Sequence, residues 1–389
     1  MSSKQIYDPI HKFITLTPLM IQIIDTYEFQ RLRDLKQLGA TYFVFPSASH
    51  SRFEHSIGVS HLARLMMNEL YLNQPELNIT ERLIELVQIA GLIHDLGHGP
   101  FSHLYDHYVK NEEEPEHEER GMQIFIDMVV KYNLDLSEEE VNTICDIIEP
   151  PEDLKNNWLY QIINNKINHI DVDKIDYILR DSYHIGLFHN DFSRILTMIK
   201  VKTYNHSLVL AWHEKVQNEI YVLFSCRYRL HKQIYNHHAV KAFEYLLIPI
   251  MKKIKNSGID FIHFTDSTVL NRFNNSNIQQ LEDIYQRKLP IMVKEKIIIN
   301  HSNISILIEK INNEKYVLDY VTISLAGNCT DPLSNVYYFN NKLQEAFTIN
   351  SSENSFIIPS KHSETIIRLY VKNNNYKDNN QIENIWLNI

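Results

Sequence analysis

The chain has few cysteines, and their spacing argues against a disulfide framework. Only three of its 389 residues are cysteine, namely Cys145, Cys226 and Cys329, and none belongs to a Cys-x-x-Cys pair. Such a scattered set is typical of reduced thiols. We therefore expect an intracellular protein, either cytoplasmic or nuclear.

The sequence also lacks the features of membrane proteins and of nucleic-acid coat proteins. No apolar run approaches the roughly 20 residues needed to span a bilayer, and the first five residues (Met-Ser-Ser-Lys-Gln) lack the apolar stretch of a secretory signal. The formal net charge is −10, whereas proteins that coat nucleic acid usually carry a basic excess. We therefore expect no membrane partner and no nucleic acid as the main partner. A local basic pocket for an anionic substrate stays compatible with this charge.

Apolar residues recur at helical spacing over the first 250 or so residues and alternate afterwards. The helical patterns cover 18–32, 57–72, 81–96, 168–183 and 216–247. The strand-like patterns cover 297–299, 335–339 and 365–371. Residues 111–119 are predicted to form an acidic exposed loop. We predict a mainly α protein, with a helical lobe over residues 1–250 and a smaller C-terminal α+β lobe over residues 251–389.

The adjacent His94 and Asp95 end an apolar run that starts near Ile84. Buried polar side chains without partners are costly, and a metal ion removes that cost. Together with His55 upstream and Asp173 downstream, the pair offers two nitrogens and two or more oxygens. Such a set suits a transition metal, Mn²⁺ or Mg²⁺, and leaves positions open for water or substrate.

Most of the 20 histidines need no such explanation. A single histidine is usually a structural residue with a hydrogen-bonded ring, and we prefer that interpretation for four of them: His11, His206, His263 and His301.

Longer motifs surround the His-Asp pair in a fixed order. They are Tyr-Glu-Phe-Gln-Arg-Leu-Arg at 27–33, Lys-Gln-Leu-Gly at 36–39, the segment 45–59, His-Asp-Leu-Gly-His-Gly-Pro-Phe-Ser-His at 94–103, and the segments 171–181 and 227–236. Together they resemble the HD-domain phosphohydrolases, and among these the deoxynucleoside triphosphate triphosphohydrolases. The resemblance is strongest to the HD core of the eukaryotic enzyme that carries an added sterile-alpha-motif domain. It runs from about Asp8 to about Ala242, with a weaker echo near the C-terminus.

The resemblance implies that residues 1–250 form an HD-domain catalytic lobe without the sterile-alpha-motif domain. It assigns metal ligation to His55, His94, Asp95 and Asp173, with Fe, Mn, Zn, Ni or Mg as the ion, and places Mg on the nucleotide phosphates. It assigns a second catalytic group to His98, His103, Asp106 and His117. It assigns substrate contacts to Gln37, Leu38, Arg52, Lys174, Tyr177, Asp181, Arg227, Tyr235 and Asn236.

The implied reaction converts a dNTP and water into a deoxynucleoside and inorganic triphosphate. Tyr235 would lie under the sugar and leave no room for a 2′-hydroxyl. Two alternatives stay open: an HD phosphohydrolase that acts on another nucleotide phosphoester, and a module that binds nucleotides or single-stranded RNA without catalysis. The sugar-site residues Gln37, Asp181 and Tyr235 argue against the first alternative, and the intact metal set argues against the second.

The resemblance also implies a homodimer or homotetramer that GTP or dGTP activates. The site corresponds to Lys4, Asp25, Gln30, Arg33, Lys200 and Lys215, of which all but Lys200 match the family. A carboxylate such as Asp25 can pair with the N1 and N2 donors of guanine. Three positions depart from the family: Tyr7 replaces an Asn, while Lys200 and His213 each replace an Arg, and Lys does not reproduce the two-pronged contact of Arg with phosphate.

Overall fold

The computed structural model describes residues 2–271, 278–298, 311, 315–326, 331, 333–349, 361–373 and 378–387. The predicted fold class is confirmed: the protein is mainly α, with small sheets towards the C-terminus. Within the described residues, no helix combines the length and apolar character required to cross a membrane. Cys145 and Cys226 carry free thiols, and Cys329 lies outside the described residues.

The described α-helices are α1 (Pro18–Ile24), α2 (Tyr27–Gln30), α3 (Arg52–Asn73), α4 (Glu81–Ile93), α5 (His103–Tyr108), α6 (His117–Tyr132), α7 (Glu138–Ile148), α8 (Val172–Ile185), α9 (Ser193–Thr197), α10 (Gln217–Leu230), α11 (His238–Asn256), α12 (Asp266–Leu270), α13 (Ile278–Tyr285) and α14 (Asn379–Leu387). The described strands are β1 (Lys4–Asp8), β2 (Lys12–Leu16), β3 (Ile199–Tyr204), β4 (Ser207–His213), β5 (Ile291–Ile298), β6 (Tyr316–Ser324), β7 (Tyr338–Phe339) and β8 (Ser363–Val371).

The strands form three small sheets. Strands β1 and β2 pair as an antiparallel hairpin. Strand β4 pairs with β3 in the antiparallel sense and with β7 in the parallel sense. Strand β8 is the central strand of an antiparallel sheet in the order β5-β8-β6.

The prediction of one long helix from Pro18 to Leu32 is wrong. Helix α1 ends at Ile24, and Thr26 then begins a new helix, because its hydroxyl donates to Ile23 O at 2.7 Å and accepts from Phe29 N at 3.3 Å. An N-terminal cap of this kind overrides an apolar pattern that continues across the break.

The predicted helix over residues 216–247 is also interrupted. Helix α10 ends at Leu230, a single π-helical turn spans His231–Tyr235, and α11 begins at His238. The ring of His237 caps the new helix by accepting a hydrogen bond from Ala239 N at 3.3 Å. This break carries two predicted substrate residues, Tyr235 and Asn236, into the site described below.

The proposed lobe boundary at residue 250 falls inside α11, which continues to Asn256. Ala326, Leu333 and Tyr338 are buried in the same core as the helices of the first half. The division into two lobes therefore stays a prediction.

The acidic segment 111–119 is a loop only in part, since α6 begins at His117. Part of the predicted strand at 335–339 is observed, as β7, and the one at 365–371 lies inside β8. The strand predicted at 297–299 overlaps the end of β5, and residue 299 lies outside the described residues.

Candidate active site

One cavity of about 550 Å³ collects almost all the catalytic, metal and substrate residues predicted from the sequence. It is lined by Gln37, Leu38, Arg52, His55, His94, Asp95, His98, His103, His117, Asp173, Lys174, Tyr177, Asp181, Arg227, Tyr235 and Asn236. Asp106 is buried directly behind this wall, against His98 and His117. The roles of these residues stay predictions, but their proximity joins segments up to 199 positions apart.

Three of the four predicted metal ligands converge on one point. His55 Nε2 lies 2.9 Å from Asp173 Oδ1, and His94 Nε2 lies 3.4 Å from the same oxygen. Asp173 lies in the first turn of α8, and His55 lies in the first turn of α3. His94 directly follows α4. Three helix ends therefore supply a compact set of two nitrogens and one oxygen.

Asp95 is adjacent to this set, but its carboxylate is shared between several groups. Its Oδ2 lies 3.6 Å from His55 Nε2, and its Oδ1 lies 3.5 Å from His94 Nε2. Arg52 Nη1 makes a short ion pair with Oδ2, and His98 Nε2 lies 3.2 Å from Oδ1. Asp95 therefore stands between the metal set and the second histidine group.

The chemistry of these donors fits a metal ion. His94 Nδ1 donates to Gly91 O at 2.8 Å, which leaves the lone pair on Nε2. That Nε2 atom is buried, and it has no hydrogen-bond partner among the described residues. Burial lowers the pKa of His55, but hydrogen bonds with Asp173 and Asp176 outweigh burial and raise it to about 10. The centre therefore attracts a cation, and a divalent metal would take the place of that proton.

A second group of histidines lies beside the metal set. The rings of His98 and His117 stack with centroids 3.9 Å apart, and His103 meets His98 edge to face at 5.1 Å. Asp106 Oδ2 lies 3.4 Å from His98 Nδ1, and Arg120 holds the other oxygen at 2.6 Å. The carboxylate is thus placed to orient the imidazoles.

Two of these imidazoles have a lowered pKa. Desolvation in the cavity, with repulsion from His98 and Arg52, lowers the pKa of His103 to about 3, although the residue is partly open to solvent. Burial, with repulsion from His98 and His103, holds the pKa of His117 far below its ordinary value. A bound polyanion would oppose both shifts, since negative charge nearby favours the protonated imidazole.

A hydrogen-bonded group forms the other end of the cavity. Asp181 accepts a 2.7 Å hydrogen bond from His50 Nε2 on one oxygen and a short one from the Tyr235 hydroxyl on the other. Burial and Asp181 raise the pKa of Tyr235 well above its ordinary value, so the phenol stays neutral. Gln37 Oε1 is buried in the cavity wall and has no hydrogen-bond partner in the part of the chain that the structure describes.

The three predicted phosphate ligands are all held by protein groups. Arg52 Nε donates to Ser102 Oγ at 2.8 Å, in addition to its pair with Asp95. Lys174 Nζ lies 3.5 Å from Asp171 Oδ2. Arg227 Nη1 donates to Ser324 O at 2.7 Å, at the end of β6. Strand β6 therefore takes part in fixing a cation of the cavity.

Among the described residues, hydrogen bonds and ion pairs join only two of the six residues predicted for an activator site to one another. Arg33 Nε donates to Gln30 Oε1 at 2.8 Å, and the guanidinium lies 3.5 Å from the centre of the Phe53 ring. Lys4, Asp25 and Lys215 are exposed, and Lys200 lies over the Phe339 ring at 5.6 Å. The activator site stays a prediction.

Several residues of the site were missed from the sequence. His50 lies inside a quoted motif, but only the fold shows that it holds Asp181. Asp176 supports His55 from behind, and its spacing of three from Asp173 on one helix face is the signal that could have revealed it. His231 and Lys241 also line the cavity, in a region where the helix break was not predicted.

Comparison with known proteins identifies a matching domain family and several relatives of the chain. Residues 52–181 match the HD domain family. The chain is 36% identical to the deoxynucleoside triphosphate triphosphohydrolase SAMHD1 homolog of Dictyostelium discoideum, across 95% of this chain and 78% of that protein. It is 32% identical to human deoxynucleoside triphosphate triphosphohydrolase SAMHD1, across 95% and 70%. It is 30% identical to the putative HD domain-containing protein L394 of Acanthamoeba polyphaga mimivirus, across 91% and 87%.

The matched HD region contains His55, His94, Asp95, Asp173 and Asp181, which are the residues that the fold brings into one cavity. The similarity to the named relatives then extends far beyond this region, through almost the whole chain. The chain therefore belongs to the SAMHD1 family of HD-domain deoxynucleoside triphosphate triphosphohydrolases.

Proposed function

We propose that the protein hydrolyses dNTPs to a deoxynucleoside and inorganic triphosphate, with a divalent metal held by His55, His94, Asp95 and Asp173. One observation carries this proposal: a single cavity joins the metal set at one end to the Asp181–Tyr235 pair at the other. Named relatives with the same activity in their names, similar along almost the whole chain, support it. The free thiols of Cys145 and Cys226 suit a site of action inside the cell, cytoplasmic or nuclear.

The reaction breaks the bond between the α-phosphorus and O5′ of the sugar. Water adds to the α-phosphorus, O5′ leaves with a proton as the 5′-hydroxyl, and the three phosphates leave together as triphosphate. When bound, a divalent metal supplies Lewis-acid stabilisation of the charge that develops on the phosphate oxygens. Arg52, Lys174 and Arg227 neutralise charge on the phosphate chain, and Mg²⁺ accompanies the substrate phosphates.

The histidine group handles the protons. His103 faces the cavity and is the proposed proton donor to O5′, with His98, His117 and Asp106 orienting it and exchanging protons. With its pKa near 3, His103 is almost entirely in its neutral form at pH 7, so in the protein alone it does not hold the acidic proton. The negative charge of a triphosphate raises the pKa of this ring, so the substrate itself prepares the acid.

The sugar end selects the substrate class. Asp181 is the proposed partner of the 3′-hydroxyl, and the unpaired Gln37 Oε1 can accept a further hydrogen bond from the nucleoside. The ring of Tyr235 packs under the sugar, with Leu38, Tyr177 and Asn236 beside it. Residues that hold a sugar favour a deoxynucleotide as the substrate. An enzyme for another phosphoester would not need them. A pure binding module would not need the metal set.

The activator and the assembly are part of the same proposal. Asp25, Gln30 and Arg33 would read GTP or dGTP, while Lys4, Lys200 and Lys215 would contact its phosphates. The proposal includes a homodimer or homotetramer in which a neighbouring chain completes the site. A ligand that binds the assembled state better than the separate chains stabilises the assembly.

Metal content tests the first part. Protein purified without chelators should contain stoichiometric Fe, Mn, Zn, Ni or Mg by elemental analysis, and Asp173→Asn should lose it because the shared oxygen ligand becomes a neutral amide. His103→Asn is the matched control and should keep the metal while losing dNTP hydrolysis. An Asp173→Asn protein with full metal and full activity would refute the ligand set.

Isotope labelling tests the bond that breaks. With dATP in H₂¹⁸O, the label should enter inorganic triphosphate, because water adds to phosphorus and O5′ stays with the sugar. Mass spectrometry of both products measures this. Label in the 5′-hydroxyl, or dAMP and pyrophosphate as the first products, would contradict the proposed chemistry.

Replacing Tyr235 tests sugar selection. Wild-type protein should hydrolyse dATP and leave ATP intact, and Tyr235→Ala should raise the ratio of ATP to dATP turnover. Tyr235→Phe keeps the ring but loses the hydrogen bond to Asp181, so it should keep the selectivity and lose about 10-fold in kcat/KM, as expected for one buried hydrogen bond. Equal turnover of ATP and dATP by the wild type would count against the role of the ring.

Light scattering with parallel turnover of dATP tests activation. GTP should raise both the mass of the particle and the rate, and Asp25→Ala should abolish the response because the guanine N1 and N2 donors lose their acceptor. CTP, which lacks these donors, serves as the control nucleotide. A monomer with full activity in the absence of guanine nucleotide would restrict the proposal to the catalytic cavity.

A further inference from the structure

The turn of the N-terminal hairpin reaches the metal ligand His55 through one buried carboxylate. His11, between β1 and β2, donates from Nε2 to Asp176 Oδ1 at 2.6 Å. The other oxygen of Asp176 accepts from His55 Nδ1 at 2.8 Å. The side chains of His11 and His55 are only 7% and 1% exposed, and Asp176 is fully buried. Direct hydrogen bonds therefore connect the three side chains from His11 to His55.

Arg180 completes the hydrogen bonding of this carboxylate. Its Nε donates to Asp176 Oδ2 at 2.9 Å, and its Nη2 donates to Oδ1 at 3.0 Å. Each carboxylate oxygen thus accepts two hydrogen bonds, which fills its lone pairs. Because Asp176 can only accept, the proton of a neutral His55 lies on Nδ1. The Nε2 atom, which faces Asp173, then carries no proton. An unprotonated ring nitrogen is what a metal ligand requires.

The same arginine fixes the hairpin turn. Arg180 Nη1 donates to Asp8 Oδ2 at 2.8 Å. The other oxygen of Asp8 accepts from the backbone N–H groups of Ile10 and His11, both at 2.8 Å. Arg180 therefore fixes the orientation of Asp176 directly and the position of His11 through Asp8.

We infer that Asp176 and His11 are positioning residues for the metal ligand His55, so that the N-terminal hairpin belongs to the outer support of the metal centre. Asp176 sets the tautomer and the rotation of the His55 ring. His11 donates to the Asp176 oxygen that His55 does not contact. It thereby connects Asp176 to the hairpin that contains β1, the strand on which Lys4 lies. The inference rests on the proposed function only in that His55 binds a metal.

Metal affinity tests this positioning separately from catalysis. Metal-free protein is titrated with Mn²⁺, and free Mn²⁺ is measured by its electron paramagnetic resonance signal. Asp176→Asn should weaken Mn²⁺ binding about 10- to 100-fold, the usual effect of removing an outer partner of a metal-bound histidine. His11→Ala should weaken it by a smaller factor. His11→Gln should restore most of that loss, since its amide can donate to the same oxygen.

His61→Ala is the matched control, because the His61 ring lies next to His11, with centroids 5.4 Å apart, and makes no hydrogen bond to Asp176 among the described contacts. It should bind Mn²⁺ like the wild type. If His11→Ala lowers only the melting temperature, or His11→Gln fails to restore affinity, the hairpin is a purely structural neighbour and the inference is overturned.

Turnover of dATP, measured on the same samples, distinguishes the two proposals. A wild type that binds Mn²⁺ with the expected pattern of variants but does not hydrolyse dNTPs would refute the proposed function and leave this inference intact. A wild type that binds no Mn²⁺ would overturn the inference itself.

Discussion

The site depends on how closely α3 approaches α8 at Gly58. A Cβ atom at this position would lie 2.0 Å from Asp176 Oδ1 and 2.3 Å from Arg180 Nη2, so no side chain larger than hydrogen fits. His55 precedes Gly58 by three residues, and Asp173 precedes Asp176 by three, so each pair shares a helix face. The close approach that buries the Asp176–Arg180 pair therefore also brings His55 against Asp173. A methyl group at this crossing would displace Asp176 and Arg180 and push α3 away from α8, which would separate His55 from Asp173.

A second constraint comes from the C-terminal sheet, which holds the break between α10 and α11. Arg368 on β8 donates to Asn236 O at 2.6 Å, and the Tyr370 hydroxyl donates to His238 O at 3.1 Å. Both bonds lie directly after the π-helical turn that contains Tyr235: the first is at Asn236, and the second is at His238, the first residue of α11. Together with the bond from Arg227 to Ser324, they attach the part of the cavity around Tyr235 to the C-terminal strands β6 and β8.

The sequence identified the residues that share the cavity better than it placed the helix ends around them, and the roles of those residues stay predictions. Residues such as His94 and Asp95 were recognisable because their ligand chemistry is contiguous in the chain, and the fold then brought them together with His55 and Asp173. The helix breaks at Thr26 and His237 were missed, since an apolar pattern continues through them and single capping hydrogen bonds decide the outcome. The link from His11 to Asp176 spans 165 positions, so no local pattern could show it. The ring of His11 is hydrogen-bonded, as expected of a structural histidine, and its partner is Asp176, which contacts His55 in the site.

The state of the cations explains why a triphosphate suits this cavity. Arg52 is paired with Asp95, Lys174 lies beside Asp171, and Arg227 is bonded to backbone carbonyls. A substrate must therefore replace existing partners rather than meet unpaired charges, so only the difference in interaction energy contributes to binding. In the proposed function, the three phosphate groups of a dNTP would engage these cations in place of their protein partners, whereas a monophosphate carries only one such group. The charge of the triphosphate would also raise the pKa of His103 from about 3 towards the range in which an imidazole can donate a proton. Selection of the phosphate chain and activation of the leaving group would then both follow from one electrostatic change.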